Sequence, residues 1–576
     1  MLKFLAGVAT GVILVILTVV LLFFAALRLR QKPPEVASNS VLVMRLSGDV
    51  PEKPPVDLSL FSNDHTATVT DVWMALRKAA VDPRIKAAVL EPEGLSIGWG
   101  KMEEFRRDLE QFRKSGKPLV AYLRNPGTAE YFLALAADRI YLGPQEPLYL
   151  RGLRAQIPYV KKALDKLGVT VEVEHAGKYK DFGDMFTRSD MSPETREVTD
   201  QLVDALYATL VDRIAAARHK SPDEVRVIID RGPFTAAGAL SAGLVDELRF
   251  EDQMWGELRA RLKSSEPARV SLDAYARIPA DSVGLSGRSR VALVVAQGDI
   301  VRGSPDDDGL EESSLTSFGF DKMLRQAVND STVKALLVRI DSPGGDANAS
   351  DEMWREMNLA SKKKPLVISM GDVAASGGYY MAMTGDPIVS YPNTETGSIG
   401  VVFGKPVIRG LPDKLGIAFD GVQRGRHADI ESLQTPLTPE ERDLLRRGID
   451  ESYQDFVTKV ANARHRSYGE IEPLAQGRVW LGSEARTHGL VDELGGLDTA
   501  LAVLKKKAGI PAAENVSLVM YPPRHTILDL LMKRSQDDAV EARMAAQLRP
   551  VFGPIPFHAW MHGGMLRIMP YWIEVK

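Results

Sequence analysis

The chain of 576 residues contains no cysteine. Disulfides, thiolate metal sites and a cysteine nucleophile are excluded together, and since a cysteine-free chain suits any redox compartment, location stays open. Net charge is also nearly absent, with 72 Lys and Arg against 76 Asp and Glu, a formal balance of −4. That offers no general electrostatic basis for binding nucleic acid, and none is expected as a partner. Aromatic residues are sparse at 7%, yet hydrophobic residues reach 45% and charged residues 26%. These proportions exclude a mostly disordered, collagen-like or polytopic membrane chain. At roughly 150 residues per domain, the length suits three or four domains, or two large ones.

One long uncharged run is present, the 24 residues from Phe4 to Leu27. A helix of that length covers about 36 Å against a hydrocarbon core of roughly 30 Å, and it exceeds a cleavable signal core. No A-x-A site follows, so residues 1–32 are expected to form a retained membrane anchor rather than a buried soluble helix. Arg28, Arg30 and Lys32 on its far flank outnumber Lys3, and the positive-inside rule places the body in the cytoplasm.

The body repeats itself. Val41-Leu42-Val43-Met44 leading to Gly48-Asp49-Val50 recurs as Val291 to Val295 leading to Gly298-Asp299-Ile300. Asp82 to Leu90 recurs as Asp330 to Val338, and Lys117-Pro118-Leu119-Val120 as Lys364-Pro365-Leu366-Val367. Ser192-Pro193-Glu194 returns as Thr438-Pro439-Glu440, and Gly243 to Leu248 returns unchanged as Gly489 to Leu494. The offset stays between 246 and 250, so the body is a tandem pair of similar domains. The expected divisions are an anchor over 1–32, a first domain over 40–263, a linker over 264–290, a second domain over 291–511 and a C-terminal extension over 512–576.

Each half alternates short β-branched runs with amphipathic helical stretches, an α/β pattern. Strands are expected at Ala335 to Ile340 and Leu366 to Met370, with helices around Asp351 to Lys362 and from near Ser376. Thr438-Pro439-Glu440-Glu441 has the N-cap hydroxyl, first-turn proline and glutamate of a capping box, opening a helix to about Arg464. The acidic stretch from Gly303 to Ser314 reads as a solvated surface loop rather than a metal site.

Two segments of the second half have chemical potential. Asp341-Ser342-Pro343-Gly344-Gly345-Asp346 follows a buried strand, and its paired glycines let backbone N–H groups reach a ligand, as an oxyanion hole requires. A plain turn is the alternative. In Gly371 to Tyr380, Ser376 lies among small residues at the start of an apolar helix, where a nucleophile can be presented and unpaired N–H groups favour negative charge. An N-cap serine is the alternative there.

A serine nucleophile needs a base. The repeat aligns Ala176-Gly177-Lys178-Tyr179-Lys180-Asp181 with Arg424-Gly425-Arg426-His427-Ala428-Asp429, so Lys180 corresponds to Ala428. By the same offset Ser376 corresponds to Thr128, in a segment lacking the Gly-Gly pair. Each half keeps what the other lacks, which points to one composite site with Lys180 from the first half and Ser376 from the second. His427 is the competing base, and Lys178 shares the same loop.

Ser342-Pro343-Gly344-Gly345, Ala375-Ser376-Gly377-Gly378-Tyr379, Thr396-Gly397-Ser398-Ile399-Gly400, and Tyr179-Lys180 followed by Asp190-Met191-Ser192-Pro193 together resemble the signal peptide peptidase A (protease IV) family in its long, membrane-anchored form. The resemblance runs from about Val41 to Gly495 and returns at the Met-Pro-rich C-terminal end. It implies two tandem Clp-protease-like or crotonase-like α/β domains behind an N-terminal transmembrane helix, and a Ser/Lys peptidase acting on released signal peptides and other apolar fragments. It implies Ser376 as nucleophile, Lys180 as general base and acid, and Ser398 orienting the lysine. The oxyanion is expected on the N–H groups of Gly345 and Gly377, and no metal or organic cofactor is needed. The resemblance also implies a homotetramer, contact with membrane lipid, and a body outside the cytoplasmic membrane, against the flanking charges. Two other function classes are an acyl-CoA enzyme of the crotonase type and a catalytically silent membrane scaffold.

Overall fold

The computed structural model describes residues 34–54, 66–263, 266–304, 314–523 and 565–569, with Gly11 and Thr18. Otherwise the expected anchor over 1–32 lies outside the described residues, as does the acidic stretch 305–313. Among the described residues no helix is long and apolar enough to cross a membrane.

The apolar runs of the first half form β1 (Ser40–Gly48), β2 (Ile85–Leu95), β3 (Leu119–Leu123), β4 (Arg139–Leu142), β5 (Thr170–Ala176), β6 (Glu247–Leu248) and β7 (Arg269–Ser271). The second half forms β8 (Ser289–Gln297), β9 (Asp299–Val301), β10 (Ser314–Thr316), β11 (Val333–Ser342), β12 (Gly344–Asp346), β13 (Leu366–Ala375) and β14 (Ile388–Ser390). It continues with β15 (Glu395–Gly397), β16 (Val401–Val407), β17 (Val479–Leu481), β18 (Glu493–Leu494), β19 (Val516–Tyr521) and β20 (Met565–Ile568).

One sheet runs β6-β4-β3-β2-β1-β7, and a second contains β18-β14-β13-β11-β8-β19, the same order strand for strand. The sequence repeat is therefore a structural repeat. Pairing along both paths is parallel, which buries the central strands on two faces and explains their continuous apolar composition. All ten residues of β13 are buried. β15 extends this sheet from the C-terminal end of β13 and carries β17 antiparallel at its far side.

Part of the stretch expected as a linker is structured. Residues 269–271 pair as β7 along β1, and Leu272, Tyr275 and Ile278 are buried in the first-half core. Likewise β19, beyond residue 511, pairs in parallel along β8. Both are edge strands; β7 is three residues long, and β19 packs Val516, Leu518 and Met520 on the core from within the expected C-terminal extension. The helix expected after Thr438 spans Pro439–Ala463 with its capping box formed, and Ser192 caps its counterpart Pro193–Arg218.

A third sheet, β10-β9-β12-β20-β16-β5, draws on both halves. β5 of the first half pairs antiparallel with β16 of the second, from Val401 opposite Ala176 to Val407 opposite Thr170. Helix Pro439–Ala463 grips β5 from the side, Arg442 bonding Glu172 at 2.8 Å and Arg446 bonding Glu174 at 2.8 Å. Deeper between the halves, fully buried Arg339 of β11 pairs with Glu52 at 2.7 Å and with Glu104. Lys101 pairs with Asp341 at 3.0 Å, while Asp372 accepts the backbone N–H groups of Gly98 and Lys101 at 2.9 and 2.6 Å. Pairing is what makes so many buried charges tolerable.

Candidate active site

β13 runs straight into Ser376, and the helix Gly377–Met381 begins at the next residue. This sharp turn holds Ser376 at φ 53° and ψ −113°, a region that side-chain-bearing residues rarely populate. Backbone bonds hold the turn: Ser376 N–H donates to Gly397 O at 2.8 Å, and Tyr380 N–H to Ser376 O at 2.8 Å. The residue occupies the N-cap position, but its hydroxyl makes no capping bond. It meets Lys180 instead, with Nζ 2.8 Å from Oγ.

Lys180 arrives on the turn after β5. Tyr179 N–H donates to Gln476 O at 2.7 Å, and Lys178 N–H to Gln476 Oε1 at 3.0 Å, docking the turn on the 475–478 loop. Two glycines make room for the lysine. A Cβ on Gly477 would lie 2.6 to 2.7 Å from the Lys180 backbone and Cβ, and one on Gly400 would lie 3.0 Å from Lys180 Cδ. Neither role was legible in the sequence; Gly400 belongs to a recognised motif, whereas Gly477 gave no signal.

Lys180 Nζ also lies 3.0 Å from Ser398 O and 3.0 Å from Ser398 Oγ. All three of its polar partners are neutral, and Lys180, Ser376 and Ser398 are each fully buried. Burial pushes the Lys180 ammonium well below its ordinary pKa; Asp181 opposes this and Arg567 adds to it. A neutral amine has two N–H groups and one lone pair. The two Ser398 oxygens take the N–H groups, leaving the lone pair to accept the Ser376 O–H. The arrangement can deprotonate a serine.

Gly344, at φ 102°, brings its backbone against Ser376, and Gly345 follows at φ 155°. A Cβ on Gly344 would lie 2.6 Å from Gly377 N and 3.0 Å from Ser376 Cβ. Gly345 is paired with β9 and β20 in the adjoining sheet. Gly344 therefore lies directly beside the serine, with Gly345 next in the chain, an arrangement compatible with an oxyanion hole.

The competing residues lie elsewhere. His427 contacts Glu441 at 3.3 Å and Glu440 at 3.8 Å, near the start of helix Pro439–Ala463. The Lys178 side chain is 55% exposed, beside Glu194. Ala428, the counterpart of Lys180, is exposed. Thr128, the counterpart of Ser376, is buried near Glu130, whose carboxylate accepts the N–H groups of Gly127 and Leu95 at 2.8 and 2.7 Å. Among the described residues no group of three or more acidic, histidine or cysteine side chains is placed to hold a metal ion.

The profile of peptidase family S49 matches the chain twice, over residues 111–265 and 358–511, one match in each half. The chain is 36% identical over 504 residues to "Serine protease SPPA, chloroplastic" of Arabidopsis thaliana, covering 86% of this chain and 73% of that protein. It is 31% identical over 547 residues to "Protease 4" of Salmonella typhi, covering 89% and 86%. The chain belongs to peptidase family S49. A solved ClpP1 mutant from Listeria monocytogenes aligns with 36% of this chain and 94% of its own at 17% identity, with a TM-score of 0.24, too low to carry an argument.

Proposed function

We propose that this protein is a serine endopeptidase in which Ser376 is the nucleophile and Lys180 the general base and acid. The observation that carries the reading is the 2.8 Å approach of Lys180 Nζ to Ser376 Oγ, both fully buried, with the lysine held by Ser398. In the first step Ser376 Oγ attacks a peptide carbonyl and its proton passes to Lys180. The tetrahedral oxyanion is stabilised by the N–H groups of Gly345 and Gly377. Lys180 then returns the proton to the leaving amine as the C–N bond breaks, leaving an acyl-Ser376 ester. Water, deprotonated by Lys180, cleaves that ester and restores both residues.

Released signal peptides and similar apolar fragments are the proposed substrates. The reading includes a single-pass anchor over 1–32 in a cytoplasmic-type membrane, a homotetramer, and a body on the extracytoplasmic side. It rests on the Phe4 to Leu27 run and on the family; Arg28, Arg30 and Lys32 argue the opposite orientation. A reporter active on one side only, fused after Lys576, distinguishes the two. For the chemistry, the detergent-solubilised full chain is assayed on a fluorogenic peptide beside Ser376→Ala and Lys180→Ala. Activity in the parent, with a loss of about a thousandfold or more in both variants, is expected. Survival of Lys180→Ala would sink the dyad, and a folded but inactive parent would sink the peptidase reading.

A further inference from the structure

β20 lies where a peptide bound for the proposed reaction would have to lie. It runs antiparallel to β12 on one side and to β16 on the other. Met569 N–H donates to Pro343 O at 2.9 Å, and Gly345 stands opposite Arg567 two residues further along both strands. Hydrogen-bonded pairs recur every second residue in such a ladder, so Gly345 N–H points to the Arg567 carbonyl oxygen. The point where a Gly344 Cβ would sit is 2.0 Å from that oxygen, 2.6 Å from Gly377 N and 3.0 Å from Ser376 Cβ. The Arg567 carbonyl therefore stands among both oxyanion donors and beside the nucleophile, in the register of the bond to be cut.

Side chains of a strand alternate between faces. Leu566 and Ile568 pack into an apolar cluster with Phe182, Phe186, Val301 and Val402. Arg567 enters a different pocket and is 4% exposed. Its guanidinium lies 3.7 Å from the centre of the Tyr380 ring, donates from Nη1 to Ala347 O at 3.0 Å and from Nη2 to Ser452 Oγ at 3.0 Å, and stands 3.8 Å from Asp455. The Tyr380 hydroxyl lies 2.6 Å from Asp351 and 2.7 Å from Asp455, so its one proton can be donated to either carboxylate. Lys459 reaches both carboxylates, at 3.3 Å from Asp351 and 2.5 Å from Asp455. Two carboxylates thus face one lysine. Without β20 this cluster carries one net negative charge and an open aromatic face, a combination suited to a cation.

We propose that the Tyr380, Ser452 and Asp455 pocket is the specificity subsite for the residue before the cleaved bond, that it selects arginine or lysine flanked by apolar residues, and that β20 occupies it as such a peptide. The proposal rests on the peptidase reading of Ser376 and Lys180. It replaces a uniformly apolar groove with one that reads a basic residue inside an apolar segment.

The test uses the full chain and internally quenched peptides of sequence Met-Leu-Xaa-Ile-Met, with Xaa arginine, lysine, leucine or alanine. Every peptide competes with the same internal strand, so ratios between peptides are independent of it. The expected kcat/KM for arginine is at least about tenfold above leucine, with cleavage after Xaa by mass spectrometry, and Asp455→Asn lowers that ratio about tenfold. Equal or better turnover of the leucine peptide, or a ratio unmoved by Asp455→Asn, overturns the subsite while leaving the peptidase reading intact. If no peptide is cut, that reading falls, and fluorescence anisotropy on Ser376→Ala decides the pocket by whether the arginine peptide binds more tightly than the leucine peptide. Should Asp455→Asn fail to fold, Arg567→Leu gives an independent readout. Loss of the anchoring guanidinium lowers the apparent KM for every peptide, or binding constant where none is cut; unchanged constants contradict occupancy of the pocket by Arg567.

Discussion

Lys180 Nζ and Ser376 Oγ stand 2.8 Å apart although 196 residues separate them in the chain. The contact exists because β5 of the first half is zipped to β16 of the second, and Lys180 follows β5 by a four-residue turn while Ser398 and Gly400 precede β16. One antiparallel pairing thus fixes Lys180 against Ser398 and Ser376 together.

Lys180 can act as a base only when neutral, and burial holds its pKa well below the ordinary lysine value. The expected kcat/KM rises with pH through a limb well below that value and then levels. Lys180→Arg places a permanently charged group there and is expected to lose about a thousandfold or more. For stability, the unfolded chain binds the Lys180 proton more tightly than the folded one, so the penalty grows as pH falls below the unfolded pKa and is complete below the folded one. Lys180→Met is therefore expected to raise Tm at neutral pH, with a gain that fades as pH approaches 10.5.

Ser398 takes a lysine N–H through its hydroxyl and another through its carbonyl. Ser398→Ala removes only the first, so the lysine stays buried but less well aimed. A fall of about ten- to hundredfold in kcat with little change in KM is expected; a KM effect alone would count against an orienting role.

Gly477 has φ 77°, and an added Cβ would lie 2.6 to 2.7 Å from the Lys180 backbone and Cβ. Gly477→Ala is expected to lower stability by about 1–3 kcal/mol and turnover by about a hundredfold, read by thermal unfolding and kinetics on the same sample. Full activity would show that the lysine tolerates a shifted loop.

Glu395 is buried on β15, and its carboxyl is pushed up to about 8 by burial, with Asp372 adding to it. Its folded pKa exceeds its unfolded one, so the protonated folded form loses stability as pH rises from about 4.5 to about 8. Glu395→Gln, an uncharged near-isostere, is expected to raise Tm, with the gain growing over that window at up to about 1.4 kcal/mol per pH unit. A gain independent of pH would point to packing instead.

Arg339 is the shared partner of buried Glu52 and Glu104. Arg339→Met strands both carboxylates and is expected to cost about 3–5 kcal/mol, while the triple variant with Glu52→Gln and Glu104→Gln recovers much of it. Equal denaturation midpoints for the single and triple variants would contradict that account.

Much of this was legible in local chemistry. The recurrence of Gly243 to Leu248 as Gly489 to Leu494 marks β6 and β18, which end the same strand order in two sheets. Thr438-Pro439-Glu440-Glu441 stated a helix start because a cap is satisfied within four residues. The complementary losses at Thr128 and Ala428 pointed to Ser376 and Lys180 as a pair before either was seen beside the other. Edge strand β7 was not legible, since three residues paired to a neighbour more than 200 residues away carry little pattern, whereas the apolar run of β19 was present in the sequence but its pairing with β8 was not.

The chain by itself thus determined its repeat, its α/β class, its glycine turns and the two residues that meet in the candidate site, because periodicity, caps and residue type act over a few neighbours. The neutral surroundings of Lys180, the room supplied by Gly477, and the seating of Arg567 over Tyr380 were decided only by tertiary structure. Burial and charge pairing depend on which distant segments exclude water together, and no local pattern carries that information.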